Sequence, residues 1–270
     1  MPDPAFRFTR AIVRQPSHSS VNGLRAVDVG APDVTAFRAH HADYVRALEG
    51  AGVAVTVLPA LETFPDSVFV EDAALCLPNC AVLLRPGAPS RRGEPAALRP
   101  ELEALYRRVL VLDGPGFVEG GDVLVTGHEI LVGLSARTDA AGIEALATLL
   151  APFGHAVRGV RTPPDVLHFK TDCSLLGPDH VLATGRLAAG GVFDGYTVLP
   201  VAPGEEACAN AVRVNERVLF PAGFPVTAAR LRDAGFTLCE LDNAEAARLD
   251  GGMSCLSLRF SIDDGAGADA

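Results

Sequence analysis

Apolar residues recur in this chain in one short design: two apolar runs separated by a polar turn. The pattern occurs at AALCLPNCAVLLR (73–85), DVLVTGHEILVGL (122–134), CSLLGPDHVLAT (173–184) and NAVRVNERVLFPAG (210–223), each reading as a hairpin. Helical spacing follows near 94–108, 138–151 and 226–233. The similar phrases ALEGAGVAVTVL, LLAPFGHAVRGV and RLRDAGFTLCEL each lead out of a helix into a further strand. The repeated unit is therefore strand, strand, helix, strand. The terminal runs RFTRAIVRQ and GGMSCLSLRF bring the total to about five units, the first and last sharing one across the chain ends. Such repetition predicts an α/β ring of small mixed sheets around an axis, with equivalent strand ends meeting at the centre. A single open α/β sheet is the alternative that the pattern leaves standing.

Chemically capable residues stand at the start of each hairpin. Glu71 and Asp72 precede the first, and Glu119 and Asp122 (FVEGGD) the second; His168 and Asp172 (LHFKTD) precede the third and Asn210 the fourth, while the last strand carries Cys255. In a ring these side chains converge on one cavity although they are far apart in sequence. The run FPDSVFVEDAAL then makes sense: its carboxylates Asp66, Glu71 and Asp72, set around the strand-like run Val68–Val70, line a pocket whose charge suits a cation.

Composition narrows the partners. With 270 residues, 49% hydrophobic and 21% charged, the chain can bury a substantial core. A net charge of −10 and no Lys/Arg block argue against nucleic acid or an anionic membrane surface. No signal layout and no membrane-length apolar run is present, so the protein is expected in the cytoplasm. Its six cysteines then read as reduced thiols. Cys76 and Cys80 flank a Pro-Asn turn with no second pair elsewhere, which argues against zinc. GPGFVEGGD fits neither common nucleotide fingerprint, and its acids would repel a phosphate.

Cysteine on a strand is ordinarily a small core residue. In MSCLSLRF, however, alternation sends Leu256, Leu258 and Phe260 one way and Cys255, Ser257 and Arg259 the other, placing the thiol on the polar face. Gly251 and Gly252 upstream permit close backbone approach. Of seven histidines only His168 stands at a strand start, and a Cys/His pair becomes available. Glu119 could orient that imidazole. A guanidinium, planar and permanently charged, offers a fork of donors that carboxylates match; resonance makes its central carbon a poor electrophile, which a thiolate could attack once acids such as Asp72 bind the cation.

The motifs PDSVFVEDAAL, RPGAPSRRGEP, SARTDAAG, VLHFKTD, VNERVLFPAGFP and LDGGMSCLSLRF together resemble the dimethylarginine dimethylaminohydrolases of the guanidine-modifying superfamily, from about Arg10 to Phe260. The resemblance implies a five-bladed pseudo-symmetric α/β propeller of ββαβ units around a central active site, in one catalytic domain over 1–270. An ordered core over about 6–261 and a flexible tail at 262–270 are expected. It implies Cys255 as nucleophile, His168 as general acid and then base, and Glu119 as the acid touching that histidine. Asp72 with Glu71 alongside is implied to hold the guanidinium, Asp66 to contact substrate, and Arg91 and Arg137 to grip the α-carboxylate. Leu24 is implied to receive the α-amine through its carbonyl, and Leu249 and Asp250 to line the site near the thiol. Neither cofactor nor metal is implied. The ligand is a small guanidinium amino acid, with a homodimer left open. Mammalian relatives carry a second cysteine beside the nucleophile and are inhibited by zinc; here Ser254 and Leu256 are the neighbours. Dimethylarginine and monomethylarginine are the expected substrates, with N-hydroxyarginine or arginine as the alternative. A non-catalytic propeller that only binds is the reading from another class.

Overall fold

The computed structural model describes residues 5–164 and 166–262. The expected tail lies, apart from Ile262, outside the described residues. Five three-stranded sheets form in chain order. In four of them a hairpin is joined by a third strand parallel to its second: Ala74–Cys76, Ala81–Leu83 and Val109–Val111; Val123–Val125, Ile130–Leu134 and Val157–Arg161; Cys173–Leu175, His180–Ala183 and Thr197–Pro200; and Val212–Val214, Arg217–Pro221 and Thr237–Leu241. The remaining sheet is shared by the chain ends. Leu258–Phe260 pairs antiparallel with Arg10–Arg14, with Arg10 opposite Phe260, and Ala54–Leu58 adds in parallel. The expected sharing of one unit is found, and the open-sheet alternative is not.

The parallel third strand requires a crossover, and helices supply it. Val34–Gly50 begins where the Asp33 carboxylate accepts from the backbone N–H groups of Thr35 and Ala36. Ala140–Leu150 is capped in the same way by Asp139, and Pro225–Asp233 opens on proline. Glu94–Leu105 completes the set after the first hairpin. After the third hairpin the helix shrinks to the single turn Gly185–Ala188, capped by Thr184.

Core clusters fill the gaps between neighbouring sheets. Phe37, Tyr44 and Leu48 of the first helix pack against Val212, Val214 and Leu219 of the last hairpin. Ile12, Leu98, Leu102, Tyr106 and Phe260 close the other flank of the shared sheet. Each such large apolar side chain stabilises the fold by about 1.5–3 kcal/mol when fully buried. The ring is thus held by its seams.

A short 3₁₀ turn precedes the first strand of each of the four hairpins and, in the shared sheet, the strand Leu258–Phe260: Val70–Ala73, Gly120–Asp122, Phe169–Thr171, Glu206–Ala209 and Ser254–Leu256. Two expectations are corrected here. Val68–Val70 is not a strand: all three side chains are buried, and an apolar run this short cannot distinguish strand from turn. Cys255 also lies on its 3₁₀ turn, so strand alternation does not govern its direction. Leu258, Arg259 and Phe260 do alternate as buried, half-buried and buried.

Candidate active site

The 3₁₀ turns carry the polar residues inward. His168 directly precedes the third turn, and its Nε2 lies 2.7 Å from Glu119 Oε2, the residue directly preceding the second. Glu119 is fully buried. Its other oxygen accepts from the Ala88 N–H at 3.0 Å and faces Arg137 Nη1 at 3.5 Å. Asp72 Oδ1 accepts from the Gly121 N–H at 2.8 Å, and Oδ2 accepts from Arg91 Nη1 at 2.5 Å. Asp122 ties two turns together, accepting from the Phe169 N–H at 2.8 Å and the Ser135 hydroxyl at 2.7 Å. Gly121 permits this packing: a Cβ there would stand 2.7 Å from His168 Nδ1 and 2.9 Å from Asp72 Oδ1.

The thiol enters from the last turn. Cys255 Sγ accepts from the Gly252 N–H at 3.4 Å and the Asn210 side-chain amide at 3.6 Å. Asn210 Oδ1 accepts in turn from the Ser254 N–H at 2.9 Å, which fixes the amide so that its nitrogen faces sulfur. Cys255, His168, Asp72, Asp66, Arg91, Arg137, Leu24, Leu249 and Asp250 all line one cavity of about 30 Å³. That is room for about one water, so admitting a ligand requires these groups to part.

Loop contacts close the mouth. Asp66 Oδ1 accepts from the Leu24 N–H at 2.8 Å, and Asp250 Oδ2 from the Ala26 N–H at 2.6 Å. Asp250 holds φ at 58°, in the left-handed region that non-glycine residues seldom adopt.

Glu71 departs from its expected place. A 3₁₀ turn rotates successive side chains by roughly 120°, so while Asp72 faces the cavity, Glu71 points away from it. It meets Lys170 Nζ at 2.6 Å, Arg259 Nη2 at 2.8 Å and the Ser254 hydroxyl at 2.7 Å. It lines a separate space on the other side of the turns with those three residues.

Charge sets the proton inventory. Burial disfavours the imidazolium of His168, but Asp72, the Glu119 hydrogen bond and Asp122 outweigh it, and the pKa is raised above the usual histidine range. Glu119 moves the opposite way: burial alone would raise it, but the bond to His168 and the charge of Arg91 hold it well below the usual carboxylate range. Burial, reinforced by Glu71 and Asp72, pushes the Cys255 thiol up to about 12. At rest the site therefore pairs an imidazolium with a protonated thiol. Ligand atoms of Asp72, Glu119 and His168 lie within 4.8 Å of one another. Those groups are already engaged with each other, Arg91 and Gly121, so they read as an ion-pair network.

Two participants had no role in the sequence reading. Asn210 was noted at a hairpin start, but its contact with sulfur depends on the fold. Glu94 was missed, although SRRGE places it three residues after Arg91 at a helix start, a spacing that brings side chains together.

The family model for eukaryotic N,N dimethylarginine dimethylhydrolase matches residues 33–169. The dimethylarginine dimethylaminohydrolase of Pseudomonas aeruginosa is 39% identical over 254 residues, 94% of this chain and 100% of that protein. This chain belongs to the dimethylarginine dimethylaminohydrolase family. Its fold agrees: the crystal structure of a cysteine-to-serine variant of the Pseudomonas aeruginosa enzyme complexed with citrulline superposes with a TM-score of 0.92, covering 94% of this chain and 100% of that one. The N-terminal domain of a cyanobacterial arginine dihydrolase, 19% identical, superposes with a TM-score of 0.84 over 94% of this chain and 98% of that one, a likeness of fold. The propeller of ββαβ units expected from the resemblance is the architecture of this dimethylarginine dimethylaminohydrolase family member. Among the described residues no helix is long and apolar enough to cross a membrane.

Proposed function

We propose that this protein hydrolyses Nω-methylated L-arginines, dimethylarginine and monomethylarginine, to L-citrulline and the corresponding methylamine. The observation that carries the reading is the shared cavity of Cys255, His168, Asp72 and Arg137, four residues from four separate units of the chain.

In this reading the substrate guanidinium replaces Arg91 at one oxygen of Asp72. Its positive charge beside sulfur lowers the thiol pKa from its resting value, so nucleophile and electrophile activate each other. The thiol proton leaves to solvent, and the Cys255 thiolate bonds to the guanidinium carbon. The C–N bond to the methylated nitrogen then breaks as His168 Nδ1–H protonates the departing amine. A thiouronium stays on sulfur. Water, deprotonated by the now neutral imidazole, adds to that carbon; the C–S bond breaks and citrulline leaves. Glu119 keeps the imidazole oriented and its charged form favoured throughout. Arg137 and the Nη1 edge of Arg91 take the α-carboxylate, the Leu24 carbonyl the α-amine, and Leu249 and Asp250 border the reacting end. Asp66 acts through the Leu24 loop. We infer a cytoplasmic location, which six free thiols support.

The test is to supply dimethylarginine, monomethylarginine, N-hydroxyarginine, arginine and agmatine separately and to measure ureido product. Fastest turnover of the methylated arginines is expected. Faster turnover of N-hydroxyarginine or arginine would overturn the substrate assignment. No product from any of them, and no selective alkylation of Cys255, would leave a binding module.

A further inference from the structure

We propose that Glu94 is the positioning residue that holds the Arg91 guanidinium in place as the clamp for the substrate's α-carboxylate, an inference that rests on the substrate reading above. Glu94 opens the helix Glu94–Leu105. Its carboxylate accepts from Arg91 Nε at 3.0 Å and from Nη2 at 2.7 Å. Such a fork fixes the plane of the guanidinium, which a single contact cannot do. Nη2 also donates to the carbonyls of Phe69 at 2.9 Å and Asp66 at 3.2 Å, and Nη1 gives one N–H to Asp72. A guanidinium carries five N–H donors. The bonds above leave one Nη1–H over, and Arg91 lines the cavity together with Arg137.

Both side chains are sealed from solvent, at 5% and 4% exposure. With Asp72 as its one carboxylate partner in the protein, Arg91 would lose the anion that orients it as the substrate guanidinium took over Asp72, and would meet the α-carboxylate unpositioned. With Glu94 as its permanent partner, Arg91 can release Asp72 and stay in position. Burial raises the Glu94 carboxyl while the Arg91 guanidinium opposes it, a balance that makes the forked contact with Arg91 what keeps the carboxylate charged.

The experiment compares wild type, Glu94→Gln and Glu94→Asp on Nω-methylarginine and on Nω-methylagmatine, which has the guanidine but lacks the carboxylate. Loss of a charge-assisted pair predicts a KM for methylarginine raised about 10-fold to 100-fold in Glu94→Gln, with kcat little changed. The KM for methylagmatine should move much less, and Glu94→Asp should recover part of the loss. Equal KM shifts on the two substrates, or a fall in kcat alone, would overturn the proposal. Thermal melting checks the fold; if Glu94→Gln does not fold, the same KM ratio is read from Glu94→Asp. The ratio is also read as Kd for L-arginine against agmatine in a Cys255→Ser background, where turnover plays no part. Failure of the reaction and failure of Glu94 are then separate results.

Discussion

Replacing Asp72 by Asn should make Cys255 more reactive toward a neutral reagent while making the enzyme slower. Asp72 raises the thiol pKa and also raises that of His168. The amide keeps the shape and leaves an oxygen to accept from the Gly121 N–H, so the perturbation is chiefly the loss of one negative charge. A thiol held at about 12 is ionised at pH 8 to roughly one part in 10⁴. One adjacent charge shifts a pKa by about 1–3 units. Glu71, which precedes Asp72 in its effect on sulfur, remains in the variant, so we take the low end, about one unit or 1.4 kcal/mol. The direct effect has a fixed sign: removing an anion beside sulfur favours the thiolate, and the Arg91 charge, no longer offset by Asp72 at 2.5 Å, acts in the same direction. Pseudo-first-order alkylation by iodoacetamide at pH 8, followed by mass spectrometry of the peptide bearing Cys255, should therefore accelerate about tenfold. Turnover should move the other way, because the acid that receives the cation is gone; at about 1.5–3 kcal/mol for a hydrogen bond to a charged group, kcat/KM falls about 10-fold to 150-fold. Alkylation that slowed or stayed constant in a folded variant would refute the account of why the thiol rests protonated.

Three further outcomes follow from the same geometry. Cys255→Ser should abolish citrulline formation but retain ligand binding, measured as a ligand-induced rise in Tm; residual turnover near the wild-type rate would remove covalent catalysis. Glu119→Gln should lower the His168 pKa, so the basic limb of the kcat profile moves to lower pH. Stability follows with the same sign, since a histidine raised in the fold stabilises fully below its ordinary 6.5 and loses this as pH rises through the folded value; the variant should therefore lose most Tm in mildly acidic buffer. Gly121→Ala would push His168 and Asp72 apart, and a displacement near 1 Å costs about 10²-fold in kcat, with far-UV circular dichroism unchanged.

Much of the architecture was legible because each unit repeats a hairpin, and a hairpin announces itself by two apolar runs and a polar turn. The closing of the first sheet by Leu258–Phe260 could be anticipated for the same reason: two orphan strands at the chain ends needed one another. The 3₁₀ turns were not legible. One turn has no period to detect, so Val68–Val70 looked like a strand and Cys255 was given a strand's alternation. That limit also misplaced Glu71, because adjacent acids in a turn part company whereas a reading by position keeps them together. Glu94 was hidden differently. An Arg and a Glu three apart usually form a solvated surface pair, whereas here both are buried and the Phe64 ring packs against Gly93 between them.

The seam between the chain's two ends also has a meaning during biosynthesis. Cys255 sits on the turn that leads directly into Leu258–Phe260, the strand that completes the first sheet against Arg10–Arg14. A ribosome delivers the reactive sulfur and the latch of the ring together, long after the strand Arg10–Arg14 that they close against. Acid groups and imidazole are made earlier and wait without a nucleophile until the polypeptide can shut. Any clipping that removes the last strand should silence the chemistry and open the ring in one event, leaving no half-active fragment behind.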